Sequence, residues 1–208
     1  MTIEQRMDQL EKRNKRLTVA LTMMAVAAIT IQFSACGDDP AGPSTNCDVS
    51  DVGALAGRNL SECDLTGADL RDANLEGANL RGAELGHADL RYANLRNANL
   101  EDAGLIAANL EDANLKGADL ASADLEEANL GYANLVNANL SGANLRYANL
   151  WAANLEGANL TGANLVGVKL RHAELEGANL EDANLEDALN VPQLSAKQEE
   201  DACRSDCG

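Results

Sequence analysis

The chain has 208 residues, 46% of them hydrophobic but only 2% aromatic, and its formal net charge is −17. Residues 1–35 hold five basic and three acidic side chains, leaving 11 basic against 30 acidic and a net of −19 for the remainder. A surface of that sign stays soluble and repels nucleic acid and anionic lipid headgroups, so a nucleic-acid binder is excluded.

The first element is the segment 1–35. Its basic side chains Arg6, Lys12, Arg13, Lys15 and Arg16 precede an apolar run from Leu17 to Phe33, and Ser34-Ala35-Cys36-Gly37 follows. This order resembles a bacterial lipoprotein signal, which implies that Cys36 becomes the lipidated first residue. The alternative is an uncleaved signal anchor, because this mostly apolar run of 17 residues reaches the lower limit for a membrane-spanning helix. Ile3, Met7, Leu10, Asn14 and Leu17 also follow a short heptad spacing. Both readings keep the basic end cytoplasmic and hold the rest outside the cytoplasm, in the cell envelope or periplasm. Gly37 after Cys36 favours the outer membrane, by resemblance to lipoprotein sorting signals. Residues 36–52, with Asp38 to Asn46 reading DDPAGPSTN, are expected to form a polar tether.

Residues 53–190 are a repeat. From Leu60 to Leu185 every fifth residue is leucine, 26 in all, and the residue two before each is alanine in 23 units. The residue just before each leucine is asparagine 17 times and aspartate five times. In an α-helix, leucines five apart spiral around the axis; in a continuous strand they alternate between faces. The period works only if the chain turns once per unit. Ala73-Asn74-Leu75 then forms a three-residue strand with Ala73 and Leu75 inward, while Glu76 and Gly77 make the corner. Glycine, aspartate and asparagine recur at the second corner position, as turn chemistry requires.

Ala-(Asn/Asp)-Leu-x-x, repeated as in ADLRDANLEGANLRGAEL, resembles the pentapeptide-repeat family over about Gly53 to Ala188. The resemblance implies an all-β fold, a right-handed quadrilateral parallel β-helix with four pentapeptides per coil. Residues 56–185 would then make about six to seven coils standing roughly 31 Å tall at ordinary strand spacing. An N-terminal apolar helix and a short C-terminal capping helix complete the expected fold. The cap is placed in 191–208, where Pro192 blocks ladder pairing and Ser195 with Gln198 makes a capping box.

Cysteine usage agrees with export. Lipidation of Cys36 leaves Cys47, Cys63, Cys203 and Cys207, two at each end of the solenoid. Cys63 occupies an inward alanine position beside the segment holding Cys47, which predicts a Cys47–Cys63 bridge. Cys203 and Cys207 could pair, although a spacing of four on a helix suits a disulfide poorly, and two thiols alone make no metal site.

With four units per coil, each outward residue falls on one of four sides. The side following Leu70, Leu90, Leu110, Leu130, Leu150 and Leu170 carries Tyr92, Tyr132 and Trp151 together with Arg71, Arg91, Arg171 and Lys169. Arginine and aromatics are enriched at interface hot spots, so Arg91, Tyr92, Tyr132, Trp151 and Arg171 are predicted to form a partner-binding face. The competing reading is that these aromatics stack between coils and stiffen the sheet. Tyr147 belongs to the adjacent side, which bears seven carboxylates against Arg146.

No catalytic constellation is expected. His87 and His172 lie on different sides without a second ligand, and pairs such as Glu101-Asp102 are solvated corners. No cofactor or metal is implied, and no hydroxyl stands near a base. Two functions follow: an envelope-anchored acidic rod that binds a protein partner of unknown identity, with membrane attachment by lipid or apolar helix; or, as one branch of the resembled family implies, a DNA mimic that inhibits or protects a topoisomerase.

Overall fold

The structure, a computed structural model, describes residues 47–192 together with 197 and 198. The apolar run Leu17–Phe33, Cys36, Ser195, Cys203 and Cys207 lie outside the described residues. Among those described, no helix is long and apolar enough to cross a membrane.

Each pentapeptide contributes one rung. The outward residue of every unit bridges in parallel to the residue 20 positions on, from Asn59↔Asn79 through Lys169↔Leu189. Four units therefore close one coil, and successive coils stack as a parallel β-helix. Leu60 N donates to Asn79 O at 2.7 Å, while Asn79 N donates to Arg58 O at 2.8 Å, and this pair recurs up the molecule. Leucines and alanines fill the bore, nearly all without solvent exposure. Alanine is demanded because a larger side chain there would overpack the narrow axis. Val168 takes an alanine position and is fully buried.

The corners repeat one geometry. The N–H of each inward alanine donates to the carbonyl of the leucine three residues earlier, as Ala78 N does to Leu75 O at 3.0 Å. The second corner residue has positive φ in every unit from Gly57 to Asp187, while the first does not. That combination is a type II turn, in which only the second central residue is left-handed. Ten of these positions are glycine, and the others include Tyr92, Tyr132, Tyr147 and Ala107.

Asparagine before leucine has a specific task. The N–H of the first corner residue takes no part in the backbone ladder. The asparagine side chain supplies its acceptor: Ser61 N donates to Asn59 Oδ1 at 3.3 Å, and Trp151 N to Asn149 Oδ1 at 3.2 Å. The amide nitrogen is then free to donate down one coil, as from Asn79 to Asn59 at 2.9 Å and from Asn149 to Asn129 at 2.8 Å. Aspartate satisfies the corner but cannot donate, so it suits the acceptor end of such a chain. Asp119 and Asp124 each accept from the asparagine above at 2.9 Å.

Both ends are closed. Residues 47–52, expected to be the end of a tether, instead belong to the fold. Cys47 and Val49 are buried against the first coil, and Cys47 is bonded to Cys63, with the Cα atoms 5.6 Å apart. The physical reason is that the bottom coil would otherwise expose Leu55 and Leu60. Val52–Ala54 forms a 3-10 turn capped by Asp51, and Val52 O already accepts from Asn74 N at 2.9 Å. At the other end Lys197 and Gln198 are helical. The Gln198 amide donates to Leu175 O at 2.7 Å and Ala178 O at 3.0 Å. One coil lower, Ala158 O accepts from the backbone N–H of Asn179, so Gln198 stands in for a missing rung.

Candidate functional site

The 20-residue register places Arg91, Tyr92, Tyr132, Trp151 and Arg171 on one side of the rod, in two columns of corner residues. The first-corner column reads Arg71, Arg91, Glu111, Gly131, Trp151, Arg171 from bottom to top. The second reads Asp72, Tyr92, Asp112, Tyr132, Ala152, His172.

The structure brings some of these together. Ala152 leaves space above Tyr132, and Trp151 leans into it, with ring centroids 4.5 Å apart and the planes at 76°. His172 meets Trp151 edge-on at 6.3 Å, which extends the strip to three coils. Tyr92 stands two coils below Tyr132 and is outside this stack. Stacking between coils is thus real for Tyr132 and Trp151, yet it leaves them substantially open. Tyr92 is 58% exposed, Leu189 50%, Tyr132 47%, Val191 39% and Trp151 37%. Leu189 and Val191, which continue the side above Lys169 and Arg171, were not distinguished by sequence reasoning. Leu189 breaks the five-residue register, and only its bridge to Lys169 assigns it to this side.

The two lower arginines are already engaged. Arg71 grips Asp69 through Nε at 2.7 Å and Nη2 at 2.6 Å, and Arg91 grips Asp89 at 2.8 and 2.6 Å. Asp89 lies directly above Asp69 in the ladder, where two acceptors would otherwise face each other. The guanidinium donors resolve that conflict, and Arg71 also approaches Asp89 at 3.6 Å. The Arg71 hydrogen bond lowers the Asp69 carboxyl to about 2, outweighing desolvation, which acts in the opposite direction. Arg91 likewise lowers Asp89, and both arginines are held more firmly protonated. By contrast, Lys169 and Arg171 stand in no ion pair among the described residues.

The adjacent side is different in kind. Tyr147 lies across Gly167 of the next coil, whose absent side chain makes the room, and Arg146 covers its ring at 5.2 Å. Among the described residues, no group of histidine, cysteine and carboxylate side chains could hold a metal ion. Buried polar side chains all have partners there.

With this geometry in place, the chain belongs to the pentapeptide-repeat family. The model of that family, pentapeptide repeats, matches in eight copies over residues 59–97, 83–121, 123–162 and 152–187. Its members fold as right-handed β-helix solenoids and are typically structural or interaction modules. Among solved structures the chain is similar to HetL from the cyanobacterium Nostoc sp. strain PCC 7120, a protein involved in heterocyst differentiation regulation. Identity is 35% over 68% of this chain and 76% of HetL, with a TM-score of 0.35. It is also similar to Rfr23 from the cyanobacterium Cyanothece 51142, at 44% identity over 49% of this chain and 63% of Rfr23, TM-score 0.30. A trypsin-treated variant of QnrB1, a plasmid-mediated fluoroquinolone resistance protein, shares 21% identity over 71% and 83% of the two chains, TM-score 0.45. No curated protein matches this chain.

Proposed function

We propose that this protein is a non-enzymatic interaction module: a rigid acidic rod, held in the bacterial cell envelope outside the cytoplasm, that receives a protein on the side of Tyr92, Tyr132 and Trp151. The observation that carries this reading is the distribution of exposed apolar side chains. Among the described residues, five of the seven large ones lie on that side, with only Ile106 and Tyr147 elsewhere. A solenoid saturates its backbone hydrogen bonds along its sides, so recognition there falls to side chains, and rigid aromatics lose little entropy on binding. Attachment is by a lipid on Cys36 or by the uncleaved Leu17–Phe33 helix. Mass spectrometry of the mature protein separates these, since a diacylated or triacylated Cys36 marks the lipoprotein and an intact Met1 marks the anchor.

The test of the face is the combined substitution Tyr92→Ser, Tyr132→Ser and Trp151→Ser. It should abolish partner cross-linking in the envelope while leaving the circular dichroism unchanged. Retained cross-linking would sink the reading.

A second reading is favoured by the Tyr147 side, where Asp64, Glu84, Asp124, Glu126, Glu127, Glu186 and Asp187 face outward against Arg146 alone. Rows of carboxylates at fixed rise present the charge pattern of a nucleic-acid duplex, which suits a topoisomerase inhibitor or protector. The export signal weighs against it. Recovery of full-length protein in the cytoplasm, with inhibition of supercoiling by the purified rod, would establish this reading in place of the first.

A further inference from the structure

We propose that the aromatic side is the interface of an antiparallel homodimer, in which two copies of this chain lie side by side with that face shared. The inference rests on the reading of this side as a docking surface and names its occupant.

The chemistry of this side follows a definite order along the rod. Six rungs run up this side from Arg91-Tyr92 to Val191-Pro192 at 20-residue intervals. Tyr92 is exposed and apolar at the first. Glu111 and Asp112 make the second acidic. Tyr132 and Trp151 make the third and fourth aromatic. The fifth is basic, with Arg171 and His172 beside Lys169, and the sixth is apolar again, with Leu189 and Val191. Read from the top, the order becomes apolar, basic, aromatic, aromatic, acidic, apolar. The face is therefore complementary to itself when reversed.

A two-fold axis lying in the contact plane, across the rod and midway between Gly131 and Trp151, performs that reversal. It keeps the columns aligned and pairs the second rung with the fifth, so that Glu111 meets Arg171 and Asp112 meets His172 of the other copy. The central rungs interleave Tyr132 and Trp151, and the outer rungs set Tyr92 against the Leu189–Val191 end. Such a contact is isologous, each residue appearing twice with exchanged roles. The parallel arrangement fails on the same chemistry, because it sets the fifth rung on itself, Arg171 against His172, and the acidic second rung on itself, Glu111 against Asp112.

Pairing within one copy agrees. On this side Arg71 and Arg91 each have a carboxylate within 4 Å, whereas Lys169 and Arg171, like Arg96 and Lys116 elsewhere on the rod, have none among the described residues. Arg91, at the first rung, is neutralised by Asp89 and does not oppose the apolar sixth rung. The Tyr147 side could not associate with itself, given its seven carboxylates and single arginine. Five rung spacings make the strip about 24 Å long, at the low end for a specific interface, so the dimer should dissociate on dilution.

Two variants of the full chain test this: one with Glu111→Arg and Asp112→Arg, the other with Lys169→Glu and Arg171→Glu. Trp151 is the only tryptophan in the chain, so its emission reports the interface directly. The native protein, in a density-matched detergent, should sediment as a dimer at high concentration with Trp151 emission shifted to the blue. Each variant alone should remain monomeric with unshifted emission. Their equimolar mixture should restore dimer and blue shift, because both inter-chain contacts become attractive again. A monomeric native chain overturns the dimer, as does a dimer indifferent to both reversals. If the native chain is monomeric but the triple serine variant still loses a cross-linked partner, the docking surface stands and only its occupant is wrong. If neither property responds, both readings fall.

Discussion

At the residue scale, two positions show what the repeat asks of a side chain. Asp69 and Asp89 are stacked acceptors rescued by Arg71 and Arg91, and the pairing lowers the Asp69 carboxyl from 3.8 to about 2. A depressed native pKa confers stability that is present above the unfolded-state value and lost as pH falls through the native one. Carboxyl NMR should therefore place the Asp69 midpoint at about 2, and the pH sensitivity between 3.8 and about 2 should diminish in Asp69→Asn. A midpoint at the ordinary aspartate value would refute the pairing. Ala107 is the second case, since it holds φ 54° where glycine would be unstrained. Ala107→Gly should stabilise the fold by about 0.5–1 kcal/mol in urea unfolding, the relief of left-handed strain exceeding the entropy glycine adds to the unfolded chain. Destabilisation would show that the corner geometry is misassigned.

At the element scale, the ends decide whether the coils persist. A solenoid buries each coil only against its neighbours, so an uncapped end frays first. The Cys47–Cys63 bond closes a loop with a sequence separation of 16 and holds Cys47 and Val49 over the bottom coil. Cys63→Ala restores the usual inward alanine but should cost about 3 kcal/mol, with hydrogen exchange accelerated from Val52 to Leu65. Uniform acceleration over the whole rod would argue against a local cap. At the top, Gln198→Ala should release the Leu175 and Ala178 carbonyls and accelerate exchange in the last coil. Protection around Leu100 should be untouched. Unchanged exchange in the last coil would mean that Gln198 is ornamental.

At the scale of the whole molecule, charge works against compactness. A chain at −17, with 24 of its 33 carboxylates on the narrow rod of residues 47–192, repels itself, and salt screens that repulsion over roughly 10 Å at 0.1 M. The urea midpoint should rise when sodium chloride is added at neutral pH; a midpoint that falls would show that the surface ion pairs outweigh the repulsion. The homodimer modifies this picture. It is driven by the one side where charge alternates along the axis, and higher salt should weaken it even as it stabilises each rod.

The period of five, with leucine and alanine at fixed offsets, was enough to determine a chain that turns once per unit and buries two residues in each. No helix or flat sheet satisfies that spacing. The four units per coil that the family resemblance implies assign Tyr92, Tyr132 and Trp151 to one side, and the inward position of Cys63 points to its bond with Cys47. Three features needed the folded chain. The task of asparagine was hidden, because only the coil shows that the first corner N–H is left out of the ladder and needs Asn Oδ1. Leu189 and Val191 were hidden because they lie where the register breaks, so their side is decided by the bridge from Lys169. The neutralisation of Arg91 by Asp89 also depended on side-chain reach rather than position. Local sequence sets the rise and turn of each unit and pairs Arg71 and Arg91 with aspartates two residues away, but contacts about 20 residues apart stack Trp151 between Tyr132 and His172 and bring Leu189 beside Lys169.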